Sequence, residues 1–509
     1  MTNNFMKKES YILSVDQGTS GTKAIIFDKD GQLITKASVP LKSYYPKPKF
    51  VEQNPEEIFQ NVLDAVAQCL KEFEQQQPGK KDKIISCGIS NQRETFVLWD
   101  ENGKPLYNAV VWQCKRSISI CNNLLEEGME KEVSTRTGLK IDPYFSATKL
   151  IWLYNNDEVV RQAINDGQCY FGTIDTWLLY KLTGGAVHAT DLTNASRTLL
   201  FNISDLQWDS VLLRRFGLEK LRMPQLKHSS AHFGESNFNG LFANEVPITG
   251  VIGDSHAAAF GEGCFSSGTA KATMGTGSSI LWNTGDKIVR SDKGMVTTIC
   301  WSIEGRVDYA LEGVIVSCGL TIEWLKNQLG FFKNSEETDV MAYTLDSNEG
   351  VYLIPAFSGL GAPHWQMDWK ASIHGITFKS DKNHFVRAAL ESIPYQIKDV
   401  VLAMEQESNI HLKELKVDGG ITDNTFLMQF MADLLDTNVV NIGIADVSAL
   451  GAALIAGLGA GLWKNIEDLP KFKENLRVNK PASNTDLVKE SYDGWQKVLT
   501  ERKLGSSKG

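Results

Sequence analysis

The sequence predicts an α/β protein of two large domains with a cleft between them, and three observations carry that expectation. The chain has 509 residues, more than one hydrophobic core usually organises, so two domains with an interdomain cleft are the default. A strand, a turn rich in glycine and hydroxyl residues, and a second strand open it as "YILSVDQGTSGTKAIIFD". The pattern returns midway as "TAKATMGTGSSILWN", which hints at a duplicated architecture with one phosphate-sized loop from each half. Gly-Thr-Ser turns are also common hairpin connections, so the repeat alone leaves both readings open. The return of the pattern sets the domains at 1–253 and 254–509.

The elements follow in order. "YILSV", "AIIFD" and "QLITKASV" read as three strands of a meander whose first turn carries an acid, Asp16. "NPEEIFQNVLDAVAQCLKEF" reads as a helix with Asn54 as cap and Pro55 at its first position. "KIISCGIS" is a buried strand ending at the charged tetrad "NQRE". "ELKVDGGITDNTFLMQFMADLL" gives a strand, a Gly-Gly turn and a helix opened by Thr422 or Asp423. "VSALGAALIAGLGAGLW" is short for a membrane span and crowded with Gly and Ala, which predicts a buried helix packed closely on its neighbours.

Composition narrows the function classes. The chain is 42% hydrophobic and 22% charged with a formal net charge of -9, which gives no electrostatic reason to expect nucleic acid or an anionic membrane as partner. Small-molecule chemistry gains weight. "MTNNFMKKESYILSVD" lacks the hydrophobic stretch of a signal peptide. The eight cysteines form no C-x-x-C pair, so they read as reduced core thiols of a cytoplasmic protein. P-loop, zincin and Rossmann signatures are missing, and the one G-x-S-x-G, the terminal "GSSKG", reads as a chance match.

Two acids stand out. In "SVDQGTSGTK", Asp16 ends an apolar strand beside glycines and hydroxyls; such a turn cradles phosphate, and a carboxylate beside it would repel phosphate unless Mg²⁺ lay between. This suggests Mg-nucleotide; the alternative is a hairpin turn with its acid facing solvent. In "VIGDSHAAAFGEG", Asp254 is a lone carboxylate among small residues. Its plain alternative is an acid at a helix N-terminus, where it suits the macrodipole.

"VDQGTSGTK", "SNQRETFVLW", "VVWQCKR", "IDPYFSATKLIW", "FGTIDTWL", "TNASRTLLFNI", "EGVIVSCGLTIEWL", "GLGAPHW" and "VDGGITDNTFLMQF" stand in the order and spacing of the FGGY family of carbohydrate kinases, which the chain resembles from about residue 11 to about residue 497. The resemblance is greatest to the branch that phosphorylates glycerol. It implies two actin-like, ribonuclease-H-like ATPase domains flanking a catalytic cleft, with ATP and Mg²⁺ bound there and the γ-phosphoryl passed to a polyol hydroxyl, giving glycerol 3-phosphate from glycerol. On that resemblance Asp254 is the base. Arg93, Glu94, Trp112, Tyr144, Asp254 and Ser255 contact the polyol, Asp16 organises Mg²⁺, and Thr19, Ser20, Gly21, Lys23, Thr276, Gly277, Gly319, Glu323, Gly420 and Asn424 hold the nucleotide. Read without it, Arg93 and Glu94 could be a strand-end salt bridge, and Trp112 and Tyr144 core aromatics.

The chain departs from that branch in three places. Lys23 stands in place of Arg, "GDSHAA" in place of "GDQQAA", and "GTGSS" in place of "GTGCF". Ser255 and Ser279 therefore predict a larger, more hydroxyl-friendly pocket, with a longer polyol or ketose (erythritol, threitol, a pentitol, xylulose or ribulose) as the alternative acceptor. A rival of another class is an actin-like ATPase switch with no small acceptor, against which "NQRET" and "DPYFSATK" argue. The family commonly forms dimers and tetramers, so a homodimer or homotetramer is expected, with no nucleic-acid or membrane partner. His232 lies near a loop comparable to one that is phosphorylated on histidine in some members; its surroundings do not match, and no role is carried over.

Overall fold

The computed structural model describes residues 9–472, 476–483 and 485–506. The first half builds a sheet from β1 (Tyr11–Gln17), β2 (Gly21–Asp28), β3 (Leu33–Pro40), β4 (Ile84–Asn91) and β5 (Val246–Gly253), in the spatial order β3-β2-β1-β4-β5 with the short strand Glu235–Ser236 beyond β5. β1 to β3 are antiparallel neighbours, while β1 pairs with β4, and β4 with β5, in parallel. Nearly continuous apolar burial along β1, β4 and β5 matches strands covered on both faces. On one side lies α1 (Pro55–Gln76), started as expected by Asn54, whose side chain accepts from Glu56 N and Glu57 N, and by Pro55.

The second half repeats the plan. β6 (Thr269–Met274), β7 (Ser278–Gly285), β8 (Val296–Ile303), β9 (Arg306–Ile315), β10 (Glu414–Asp418) and β11 (Asn438–Asn441) form a sheet ordered β8-β9-β7-β6-β10-β11, with Arg477–Asn479 at its edge. Here too an antiparallel trio, β9-β7-β6, adjoins two parallel strands. The duplication hinted at by the two glycine-rich turns is present in the fold.

Between the sheets run α3 (Asp254–Gly261), which leaves β5 directly, and α6 (Val447–Gly459). α6 is buried as its composition predicts. It lies on β1, β4 and β5 and against α3, so a helix from the second half covers the first half's sheet. Its small residues permit this: a Cβ on Gly451 would collide with the carbonyl of Ala257, and Ser14 Oγ donates to Ala449 O at 2.7 Å.

Three further helices position the site: α2 (Ser146–Asn156), α4 (Gly319–Asn327) and α5 (Thr425–Leu435). The start of α5 corrects the expectation of Thr422 or Asp423. Its cap is Asn424, whose side chain accepts from Leu427 N at 2.7 Å. Gly420–Asp423 form a separate 3₁₀ turn, closed by Thr422 Oγ1 donating to Gly419 O at 2.7 Å, and this turn consumes both expected caps.

All eight cysteines are buried and unpaired. No helix among the described residues is long and apolar enough to cross a membrane. Gly505 and Ser506 of "GSSKG" end the final helix, Asp486–Ser506, and its last three residues lie outside the described residues, as do Met1 to Lys8.

Candidate active site

Parallel pairing brings the carboxyl ends of β1, β4 and β5 level, with Gln17, Asn91 and Gly253 in register. In open α/β sheets this edge is where ligands bind. The turn with Asp16 at its start, the segment Gln92-Arg93-Glu94 and Asp254 therefore share one edge. Asp254 is the first residue of α3 and its carboxylate remains 39% exposed, so an incoming hydroxyl can reach it. Its Oδ1 accepts from Ser255 N at 2.6 Å and lies 3.2 Å from Arg93 Nε. The helix-start and cleft-carboxylate readings of Asp254 hold together.

Arg93 and Glu94 pair with other residues. Arg93 Nη2 donates to Glu312 Oε1 at 3.0 Å, reaching across from β4 to β9 of the other sheet. Arg197 Nε donates to Glu94 Oε1 at 2.6 Å, and its Nη1 lies 2.7 Å from Glu312 Oε2. The four side chains are almost wholly buried, where removal from water costs several kcal/mol per ion (order of magnitude) unless each charge is paired. Burial raises the Glu94 carboxyl above its ordinary value, against the pull of Arg197 and Arg93. Burial also pushes on Glu312, but Arg197 and Arg93 together hold it well below the usual carboxylate range.

Two details set this pair apart. Arg93 Nη1 is buried with no hydrogen-bond partner among the described residues. Glu94 has φ +60°, a left-handed conformation rare outside glycine and often found where a site holds a side chain in place. Arg197 belongs to "TNASRT", and that segment is tied to the strand ends by Asn91 Nδ2 donating to Asn194 Oδ1 at 2.9 Å and Gly253 N donating to Thr193 Oγ1 at 2.9 Å.

Tyr144 sits just before α2, its ring edge-on to Trp112 at 5.5 Å between centroids, with the Arg197 guanidinium 5.8 Å from its ring centre. Both aromatics are half-buried and pack against the buried apolar cluster of the first half. The loop is pinned by Lys149, which donates to Pro143 O at 2.7 Å and Tyr144 O at 2.6 Å; burial pushes its ammonium down to about 7.

Ser255 and Ser279 both face partners inside the protein. Lys271 Nζ, buried on β6, donates to Ser255 Oγ at 3.0 Å, and Ser279 Oγ donates to Glu312 Oε1 at 2.9 Å. His256, the residue after Ser255, is buried beside these groups. Burial, followed by the charges of Arg93 and Arg197, holds its imidazole well below its usual value, so it stays neutral. Arg197, Glu312, Lys271 and His256 were missed as site residues. The signal for Lys271 was a lone cation inside the apolar strand "TAKATM".

The remaining candidates are turns, one at this same edge and one from the second half. Thr19, Ser20 and Gly21 follow β1, and Gly18 N donates to Gly21 O at 2.9 Å to close the turn. Asp16 precedes it, half-buried, and burial raises its carboxyl to about 6 against the opposing charge of Lys23. Lys23 Nζ is 2.7 Å from Asp446 Oδ1, so in this structure its ammonium joins the first half to the cap of α6. The turn Gly275-Thr276-Gly277 lies against the start of α4: Cys318 N donates to Thr276 O and Gly319 N to Gly275 O, each at 2.9 Å. Glu323 is exposed one turn along α4.

Gly419 has φ +105° and a Cβ there would collide with Met274 O, whereas a Cβ on the exposed Gly420 would meet nothing within 4 Å. The protein's own packing makes no demand for glycine at 420. Asn424 spends its side chain on the fold, capping α5 and donating from Nδ2 to Thr338 Oγ1 at 3.0 Å. Thr276, Gly277 and Gly319 thus come together, Gly420 follows Gly419, which packs on Met274, and Asn424 serves as a structural cap.

A reachable carboxylate beside buried, paired charges at a sheet edge, with one glycine–hydroxyl turn at that edge and a second from the other sheet, is the arrangement of a phosphotransferase. The chain belongs to the FGGY family of carbohydrate kinases: residues 11–261 match the family's N-terminal domain and residues 270–460 its C-terminal domain. It is 46% identical to the glycerol kinases of Bacillus mycoides (strain KBAB4), over 499 residues, and Bacillus anthracis, over 502, covering 98% of this chain and 99% of each relative. Among solved structures it is similar to Plasmodium falciparum glycerol kinase with ADP, with TM-score 0.90, 35% identity, and 97% and 98% of the two chains covered. The fold is shared with xylulose kinase from Lactobacillus acidophilus, with TM-score 0.86, 21% identity, and 97% and 98% covered.

Proposed function

We propose that this chain is an ATP-dependent kinase that transfers the γ-phosphoryl group to a terminal hydroxyl of glycerol, giving glycerol 3-phosphate and ADP. The observation that carries it is Asp254, half-exposed at a strand end and held by Arg93, whose Nη1 is a buried donor with no hydrogen-bond partner among the described residues. Arg93 Nη1 donates to one substrate hydroxyl and Glu94 accepts from another. Tyr144 adds a hydroxyl contact and Trp112 an apolar face, and Ser255 donates beside Asp254. The attacking oxygen forms its bond to the γ-phosphorus as the bond to the bridging oxygen breaks. ADP leaves with the electron pair, and Asp254 takes the hydroxyl proton, help worth on the order of 10²–10⁴-fold.

Thr19, Ser20, Gly21, Thr276 and Gly277 present backbone and hydroxyl donors to the phosphates. Lys23 reaches them on leaving Asp446. Gly319, Glu323, Gly420 and Asn424 border the adenosine, and the open space at Gly420 suits close approach of the purine. Asp16 fits a Mg²⁺ ion: a single half-buried carboxylate beside a phosphate loop is the donor set Mg²⁺ takes when it keeps waters and phosphate oxygens. Bound with ATP, that ion neutralises phosphate charge. We read the domain boundary at 253/254, and the working protein as a cytoplasmic homodimer or homotetramer.

The test is Mg-ATP-dependent ADP release across glycerol, erythritol, threitol, pentitols and ketoses. Strongest turnover with glycerol is expected. Preference for a longer polyol would mean that Ser255 and Ser279 redefine the pocket, and turnover independent of any acceptor would contradict the kinase reading.

A further inference from the structure

Trp112 joins the acceptor residues to the first phosphate turn. Its ring meets Tyr144 on the acceptor side, and its Nε1 donates to Thr19 Oγ1, in the first phosphate turn, at 2.9 Å. Its main-chain N is itself held by Thr95 Oγ1 at 3.1 Å. Around this bond lies a buried amide network. Gln53 Nε2 donates to Thr19 O at 2.7 Å, and Gln92 Nε2 donates to Gln53 Oε1 at 2.9 Å and to Gln17 Oε1 at 3.2 Å. Gln92 Oε1 accepts from Thr95 Oγ1 at 2.9 Å, and Gln92 immediately precedes Arg93.

A threonine hydroxyl has one proton and two lone pairs. With Trp112 Nε1 occupying one lone pair, the proton has two destinations: Gln92 Oε1, at a long 3.4 Å, or an anionic oxygen in the cleft. A charge-assisted bond is roughly twice as strong as a neutral one, so a phosphate oxygen wins. The indole therefore orients the hydroxyl that meets the nucleotide, while its ring face meets the polyol.

We propose that the Trp112–Thr19 hydrogen bond couples the two substrates, so that polyol packed on the indole tightens nucleotide binding and nucleotide tightens polyol binding. Trp112 is then a positioning residue for the phosphate turn as well as a wall of the acceptor pocket. The inference rests on the kinase reading above. Coupling of this kind is reciprocal and typically about 5–150-fold.

Calorimetric dissociation constants for glycerol, alone and with saturating Mg-ADP, test it in wild type, Trp112→Phe, Thr19→Val, Thr19→Ser and the Trp112→Phe/Thr19→Val double variant. Phenylalanine keeps an apolar face and lacks the N–H. The expected result is a wild-type coupling factor in that range that falls toward one in Trp112→Phe and Thr19→Val, falls no further in the double variant, and survives in Thr19→Ser. A purely structural indole bond would change stability and leave the coupling factor unmoved, which overturns the inference, as does a wild-type factor of one. Thr19→Val breaks the same bond from its acceptor side if Trp112→Phe does not fold. Wild-type protein that binds no glycerol sinks the glycerol reading and the inference together, whereas glycerol binding with unchanged coupling sinks the inference alone.

Discussion

Arg93, Glu94, Arg197 and Glu312 on the acceptor wall are each nearly inaccessible to water, while Ser20, Gly275, Thr276, Glu323 and Gly420 on the nucleotide wall lie exposed. The acceptor wall is made of charged side chains that pair with one another across the two sheets; among the described residues Arg93 Nη1 is left as a buried donor without a hydrogen-bond partner, and Asp254 as a carboxylate that a ligand can reach. The nucleotide wall is made of backbone turns whose geometry is fixed by hydrogen bonds such as Gly18 N to Gly21 O. Preorganised charge reads a small neutral polyol. Repeated N–H and hydroxyl donors suit phosphates. Substitutions on the first wall should therefore disturb fold and chemistry together, and many on the second should touch the ligand alone.

The largest expected effect is at the one acceptor-wall acid whose charge is not locked away. Asp254→Asn should lower kcat about 10²–10⁴-fold while calorimetric glycerol affinity and the thermal midpoint stay close to wild type. Equal loss of affinity and kcat would make Asp254 a binding group only.

Glu312→Gln comes next, because it strips Arg93 and Arg197 of a shared partner. Breaking a buried pair costs about 3–5 kcal/mol, read as a lowered urea midpoint. The pH dependence has a definite sign. Glu312 is held below its ordinary 4.5 by Arg197 and Arg93 despite burial, so its contribution is present above that value and lost as pH falls toward its folded-state pKa. The gap in urea midpoint between wild type and variant should be widest at neutral pH and close under acid conditions; a constant gap would separate Glu312 from the ion network.

The two neighbouring glycines sharpen the contrast on the nucleotide wall. Gly419→Ala forces a side chain into a left-handed conformation against Met274 O and should cost about 1–3 kcal/mol of stability. Gly420→Ala should leave the melting temperature unchanged and raise the KM for ATP. The smallest effect is expected for Lys23→Met: the Lys23 side chain is 42% exposed and Asp446 keeps its pair with Lys36, so loss of the ion pair should change stability by about 0–1 kcal/mol. The change should fade with added salt.

The amino-acid sequence carried the duplicated sheets, because the glycine-rich turn recurs between two strand pairs. It carried α1 through Asn54 and Pro55, and the burial of α6 through its small residues. The helix start at Asn424 was hidden because Thr422 and Asp423 are equally good capping residues by type, and the local turn through Gly419 and Gly420 decides among them. Arg93, Glu94 and Asp254 were legible through motif and strand-end placement. Glu312 was not: its partners Arg93 and Arg197 are distant in sequence and meet it only when the two sheets face each other. The small side chains of Ser255 and Ser279 predict pocket space, but their hydroxyl partners Lys271 and Glu312 come from other strands and are hidden from local sequence.

The most direct measurement of the central claim is a crystal structure with glycerol and Mg-ADP bound. A terminal hydroxyl within about 2.6–3.2 Å of the Asp254 carboxylate, with the remaining hydroxyls on Arg93 Nη1 and Glu94 and the ADP phosphates between the Thr19 and Thr276 turns, is the predicted result. Glycerol bound elsewhere, with Arg93 Nη1 still unpaired, would contradict it.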